Sequence, residues 1–217
     1  MKIIDAIKER HSVRQYYDKQ IDEKIVFELN KEIEECNKES GLNIQLIINE
    51  SKAFNCFMAH YGKFVNVKNY IALIGKKSKK LDELCGYYGE KLVLKAQQLG
   101  LNTCWVAMSY KKIPSAFTIN KDEKLVVVIS IGYGKNKGKN HKSKTIEEVS
   151  NVSTNTPEWF KNGVELALLA PTAMNQQKFK ILYNNDTVTY KAGIGMYTKL
   201  DLGIIKYHFE IGANRKI

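Results

Sequence analysis

Lys178-Phe179-Lys180-Ile181-Leu182-Tyr183, then Asn184-Asn185-Asp186, then Thr187-Val188-Thr189-Tyr190-Lys191: this stretch decides the fold class. Two runs rich in β-formers flank a short polar turn, which predicts an antiparallel hairpin. Elsewhere helical and strand patterns alternate, as they would in a doubly wound parallel sheet. A hairpin requires an antiparallel portion of sheet, and that favours α+β. No Gly-x-Gly-x-x-Gly follows a strand, so no Rossmann dinucleotide site is indicated.

Outward from the hairpin, Gly193 and Gly195 read as turns, and residues 200–211 as a last apolar helix with Asp201 early and His208 within it. Asp201 reads as a helix-start acid, and His208 as a hydrogen-bonded core histidine. Upstream, Thr156 as N-cap and Pro157 at the first position open a helix with Trp159, Phe160, Val164, Ala167 and Leu168 facing inward. That helix runs out into the loop Ala170-Pro171-Thr172-Ala173-Met174-Asn175-Gln176-Gln177. Towards the N-terminus, helical spacing predicts helices over residues 1–9, 21–36 and 86–99, the last closed by Gly100. Strands are predicted over 44–48, 70–75, 101–107 and 125–131, with Gly132-Tyr133-Gly134 as a strand-end turn. Residues 54–58 are apolar but too short to type.

The 217 residues suit one domain, or one domain built from two similar halves, and a hydrophobic fraction of 44% supports a real core. The start of the chain lacks the apolar run of a signal peptide, and no stretch approaches the ~18 apolar residues of a membrane helix. Cys36, Cys56, Cys85 and Cys104 show no CxxC spacing, which argues against zinc and a disulfide framework; reduced thiols in a cytoplasm are the simplest account. His60 and His141 have no companions at metal-ligand spacing. The net charge of +11 suits anionic partners. Its densest run, Lys135, Lys137, Lys139, Lys142 and Lys144, has no interleaved aromatics and reads as a flexible, solvated loop. No nucleic-acid motif accompanies it.

Arg10-His11-Ser12-Val13-Arg14 follows the first helix and gathers two guanidinium groups, an imidazole and a hydroxyl. A guanidinium matches phosphate oxygens two at a time, and Ser12 and His11 can add donors. The segment therefore reads as an anion-binding cluster at the helix exit, against the alternative of a solvated basic turn.

Four stretches together resemble the flavin-dependent nitroreductase superfamily. They are Arg10 to Arg14, Gly89-Glu90 through Gly100-Leu101-Asn102-Thr103-Cys104-Trp105, Ile129-Ser130-Ile131-Gly132-Tyr133-Gly134, and Ala170 to Gln177. The resemblance implies a nitroreductase-like α+β fold over residues 1–217, with a central, mostly antiparallel sheet flanked by helices. It implies a main FMN-binding part at 1–150 and a second part at 157–217 that completes the flavin site. FMN is the implied cofactor, with NADH or NADPH as electron donor. Arg10, Ser12 and Arg14 would take the phosphate with His11 beside them, and Lys142 or Lys144 stands where the family has a second basic contact. Trp105, Val106 and Ala107 match the strand beside flavin N5. Pro171, Thr172 and Ala173 would approach the ring, with Asn175 on the ribityl chain or ring edge and Gln177 in support.

The usual order of motifs is altered. Ordinary members carry the Pro-Ser-x-x-Asn-x-Gln loop early and use it on the flavin of a partner subunit. Here residues 36–45 lack that motif, and the copy at 170–177 comes late, followed by Lys178 where the family has proline. This looks like a short branch of the superfamily in which one chain carries both contributions, a pseudo-dimeric monomer, with a homodimer as the alternative. The implied activity is ping-pong transfer of hydride from NAD(P)H to nitroaromatics, quinones or similar electron-poor acceptors, with no side-chain acid or base required. The competing readings are a flavin-binding protein with little NAD(P)H turnover and a basic nucleic-acid-binding protein.

Overall fold

The computed structural model describes residues 1–217. α1 (Ile3–Glu9) leads through an extended segment to α2 (Glu23–Ser40). The Asp22 side chain caps α2 by accepting from the Lys24 backbone N–H at 2.8 Å, and Gly41 ends it at φ 70°. Then come β1 (Gln45–Ile47), α3 (Phe57–Tyr61), β2 (Tyr70–Lys76), α4 (Leu81–Gln98), β3 (Asn102–Val106) and β4 (Glu123–Gly132). α5 (Ile146–Val149), α6 (Glu158–Ala167), β5 (Phe179–Asn184), β6 (Thr187–Ala192) and α7 (Thr198–Ala213) complete the chain.

The main sheet has the order β1-β2-β4-β3, and every pair in it is antiparallel. β2 and β4 form its centre, buried along almost their whole length, as their unbroken apolar runs require. β5 and β6 form the separate hairpin in the expected place. Its turn residues Asn185 and Asp186 both have positive φ, 46° and 57°, a conformation these two side chains tolerate and a tight hairpin needs.

The chain divides into two compact units that interleave in sequence. One comprises residues 10–81 and 92–139 and holds the four-stranded sheet. The other comprises 1–9, 82–91 and 140–217, so α1 and the first half of α4 belong with the C-terminal elements.

Within the second unit α7 is clasped by backbone-to-backbone crossings. A Cβ on Gly203 would lie 2.0 Å from the Glu83 carbonyl oxygen, and one on Gly86 would lie 2.0 Å from that of Leu200. Gly212 meets the Asn162 carbonyl of α6 in the same way, at 2.4 Å. The core between these helices and the hairpin is aromatic: Phe160 and Phe209 pack at 5.3 Å, and Tyr190 meets Phe209 edge-on at 5.6 Å. His208 is fully buried there, as expected of a core histidine, with Nδ1 3.1 Å from the Leu166 carbonyl and Nε2 2.9 Å from Glu90 Oε1.

Three boundaries differ from the sequence reading. α4 begins at Leu81, five residues before the expected 86, because the polar residues 76–83 conceal its first turn. α6 begins at Glu158 with Pro157 in the N-cap position. Thr156 accepts instead from the Ser153 backbone N–H at 2.9 Å, a turn of its own just upstream. The untyped apolar piece resolves into α3, which is too short to show a helical period.

Candidate functional site

The segment leaving α1 runs along the outer edge of β3. Ser12 bridges Thr103 in parallel, and the Val13 N–H donates to the Thr103 carbonyl at 3.0 Å. The buried Tyr16 hydroxyl fastens the segment by donating to the Val13 carbonyl at 2.6 Å, with Ser130 Oγ at 2.9 Å. An extended backbone sends alternate side chains to one side, which gives Arg10, Ser12 and Arg14 a common face. Cys104, the residue after Thr103, reports their convergence. Burial pushes its thiol pKa up, opposed by the Arg14 charge, a hydrogen bond with Ser12 and the Arg10 charge. Arg10, Ser12 and Arg14 thus all act on Cys104, with Arg10 buried and Arg14 exposed. Cys104 was not singled out as a site residue from the sequence; its pairing register is what places it there.

His11 stands beside the cluster and meets the lysine-rich loop. Gly138, at φ 72°, comes so close that a Cβ there would lie 2.5 Å from His11 Cβ. The Lys135 N–H donates to the Gln15 carbonyl at 2.8 Å. Trp105 and Val106 lie on β3, Trp105 half-buried opposite Ile129 and Val106 buried, and Ala107 follows at the strand's end. All of these belong to the unit that holds the sheet.

The late loop, 170–177, is a second constellation, in the other unit. Met174, Asn175 and Gln177 all adopt positive φ, 50°, 53° and 45°, a costly backbone that surrounding contacts must hold. Asp201 supplies two of them, accepting from the Ala173 N–H at 2.9 Å and from Gln176 Nε2 at 2.8 Å. The Thr172 hydroxyl accepts from the Gln177 N–H at 3.1 Å. Asn175 Nδ2 donates to the Lys142 carbonyl at 2.9 Å, and its Oδ1 accepts from Gln177 Nε2 at 2.9 Å. Gln177, 3% exposed, also accepts from the Lys144 N–H at 2.9 Å. Lys144 Nζ donates to the Gln177 carbonyl at 2.9 Å. Half-buried Pro171 enters the loop.

Two sequence readings are corrected here. The lysine stretch is not a detached solvated loop in its second half: Lys142 and Lys144 are tied to Asn175 and Gln177, and the His141 ring and Ser143 hydroxyl contact the Leu168 carbonyl. Asp201 is more than a helix-start acid, since it braces the late loop. Sequence gave no sign of that, because the partners lie 25 and 28 positions away.

The family described as "Putative TM nitroreductase" matches residues 2–213 of this chain. The chain belongs to that family. Among solved structures it is similar to a "putative nitroreductase" of Thermotoga maritima, at 23% identity and a TM-score of 0.68, covering 100% of this chain and 87% of the other. A "putative nitroreductase in complex with FMN" from Desulfovibrio desulfuricans aligns at 18% identity and a TM-score of 0.53, over 72% and 99% of the two chains. A "putative NADH dehydrogenase/NAD(P)H nitroreductase" of Parabacteroides distasonis gives 18% identity and a TM-score of 0.53, over 71% and 98%. No curated protein matches the sequence. At these identities the structures establish the nitroreductase fold, α+β with an antiparallel sheet, as the sequence led us to expect. No helix is long and apolar enough to cross a membrane.

Proposed function

We propose that this nitroreductase-family chain is an FMN-dependent oxidoreductase that passes reducing equivalents from NADH or NADPH to nitroaromatics, quinones or related electron-poor acceptors. The observation that carries the proposal is the shared face of Arg10, Ser12 and Arg14 along the edge of β3. Two guanidinium groups and a hydroxyl, with no carboxylate between Arg10 and Tyr17, form a donor set that fits a phosphate monoester. The relatives described with FMN and with NAD(P)H support the same choice of cofactor and donor.

When bound, FMN supplies the ring that accepts and releases hydride. The chain's part is to hold and orient it. Arg10, Ser12 and Arg14 take the phosphate, and His11 lines the cluster. The backbone of Trp105, Val106 and Ala107 faces the ring. Pro171, Thr172 and Ala173 approach it from the late loop. Asn175 offers its remaining hydrogen-bonding capacity to the ribityl chain or ring edge, and Gln177 holds Asn175 in place. Of the two lysines, Lys142 is the basic contact, and Lys144 is a positioning residue that acts through the Gln177 carbonyl. One chain provides both contributions, so the working unit is a pseudo-dimeric monomer.

The test begins with the purified protein, which is expected to be yellow and to release FMN on denaturation. Anaerobic mixing with NADH or NADPH is expected to bleach the flavin band; retained flavin without bleaching would leave a binding protein. Arg10→Ala with Arg14→Ala removes two charge-assisted contacts, and FMN affinity is expected to fall at least about a hundredfold. Unchanged flavin content in that double variant would remove the phosphate assignment, and a colourless wild-type protein unable to take up FMN would overturn the function.

A further inference from the structure

The turn between β6 and α7 holds apolar side chains out in water. Ile194, set between Gly193 and Gly195, is 96% exposed, and Met196 is 53% exposed. Met174 of the late loop is 81% exposed. Single exposed apolar residues are ordinary; three on two joined turns are not.

Gln176 makes the join. Its Nε2 donates to the Met196 carbonyl at 2.8 Å and to Asp201 Oδ2 at 2.8 Å. A Cβ on Gly195 would lie 2.6 Å from Gln176 Oε1. The Gly193 N–H donates to the Lys178 carbonyl at 2.8 Å, and the Asn175 N–H to that of Thr172 at 2.9 Å. Hydrogen bonds therefore hold the main chain of both turns, while Met174, Ile194 and Met196 bury little of their surface. Both turns belong to one compact unit.

Lysines border them. The Lys178 side chain runs along the 193–195 turn: a Cβ on Gly193 would stand 3.1 Å from its Cβ, and one on Gly195 would stand 3.2 Å from its Cδ. Lys191, three residues before Ile194, is paired directly with Lys180 in the hairpin register, so the two leave the same face. Like charges so placed repel, and all three lysines are exposed. Between Glu165 and Asp201 the chain has one carboxylate, Asp186. It sits in the hairpin turn, at the opposite end of both strands from Lys178 and Gly193, and accepts from the Tyr183 hydroxyl at 2.6 Å. Asp201 is 3% exposed and occupied with Ala173 and Gln176. α5 brings Glu147 and Glu148 towards β5, where the Glu148 carbonyl accepts from Lys180 Nζ. The Glu148 carboxylate is taken up by its own cap, accepting from the Thr145 N–H at 2.9 Å.

Charge and area decide the partner. A second copy would set these lysines against their own equivalents. Three apolar side chains fall far short of the roughly 20–30 residues per partner in a stable protein interface. An anionic bilayer asks for less: a few apolar side chains at the headgroup boundary, with lysines around them to meet the lipid phosphates. The net charge of +11 adds long-range attraction to such a surface.

We propose that the 193–197 turn, with Met174 beside it, docks this protein on an anionic lipid surface. Ile194, Met196 and Met174 enter the headgroup boundary, and Lys178 and Lys191 contact lipid phosphates. This goes beyond the flavin reading and does not depend on it.

The experiment sediments the purified protein with vesicles of phosphatidylcholine, alone or mixed with an equal part of phosphatidylglycerol, across a salt series. Binding is expected to the mixed vesicles and not to phosphatidylcholine alone. Ile194→Ser with Met196→Ser is expected to lower the partition coefficient at least about tenfold, with flavin content unchanged. Ile194→Leu with Met196→Leu is expected to bind as wild type. Lys178→Gln with Lys191→Gln is expected to lower it about thirtyfold and to flatten its salt dependence. Ile194→Trp is expected to bind and to shift its emission to the blue on mixed vesicles, beyond any shift of the wild type. Failure of the wild type to sediment with mixed vesicles overturns the proposal. So does full binding by the serine variant, which would make the face a surface for polyanions such as nucleic acid. An Ile194→Trp emission that stays that of an indole in water overturns it as well. Loss of flavin from the serine variant with vesicle binding intact would give the turn to the flavin site instead.

Discussion

Asp201 is a carboxylate 3% exposed, facing only neutral donors, the Ala173 N–H and the Gln176 amide. Burial outweighs those two bonds and raises its pKa from 3.8 to about 6. The fold therefore favours the protonated form. This favourable contribution is complete below pH ~4, the unfolded value, and is lost as the pH rises through ~6. Asp201→Asn, which cannot ionise, is expected to abolish that dependence. In denaturant titrations from pH 4 to 7, the stability of the wild type relative to the variant is expected to decline by on the order of 2–3 kcal/mol. Parallel pH profiles would show that Asp201 does not titrate in this window. The residue scale is also where the sequence was least legible. Arg10, Ser12 and Arg14 stood out by chemical type, but their common face depends on pairing with Thr103, some ninety residues away. Asn175 and Gln177 were visible as a motif, yet the Lys142 carbonyl that positions both is a backbone atom, and no side-chain pattern announces it.

Among the elements, α7 shows how a helix can be recognised and its packing missed. Its apolar run identified it, but nothing in that run said that Gly203 is a contact point. In an ordinary helix Gly→Ala stabilises by up to ~1 kcal/mol. Here the new methyl carbon would meet the Glu83 carbonyl oxygen at 2.0 Å and the Tyr87 nitrogen at 2.7 Å, both backbone atoms that cannot rotate away. The sign is expected to reverse: Gly203→Ala should destabilise by about 3 kcal/mol, read as a lower midpoint in denaturant unfolding. A neutral or stabilising result would mean that α4 and α7 separate easily. The strands were more legible, because an unbroken apolar run such as β4 or a hairpin around two turn-forming residues is local information. α3 and the first turn of α4 were not, since five residues are too few for a period and polar residues occupy the exposed side of a helix start.

At the scale of the whole molecule, the proposal that one chain supplies both contributions to the flavin can be tested against a dimer that shares its sites between subunits. The two compact units interleave in sequence, and α4 is divided between them, residues 82–91 in one and 92–98 in the other. If both contributions to the flavin come from one chain, a fault in either is a fault in that chain's own site. Two variants then make a decisive pair. Arg10→Ala with Arg14→Ala spoils the phosphate ligands, and Asn175→Ala removes the two side-chain bonds that join Lys142 to Gln177 through the late loop. Each is expected to bind FMN more weakly than wild type. When the two proteins are mixed, unfolded and refolded together, flavin binding is expected to equal the sum of the separate samples at every mixing ratio. A site completed by a partner would behave otherwise: mixed dimers would contain one site free of both faults, and a flavin-binding fraction of wild-type affinity would appear, rising to a maximum at equal amounts of the two chains.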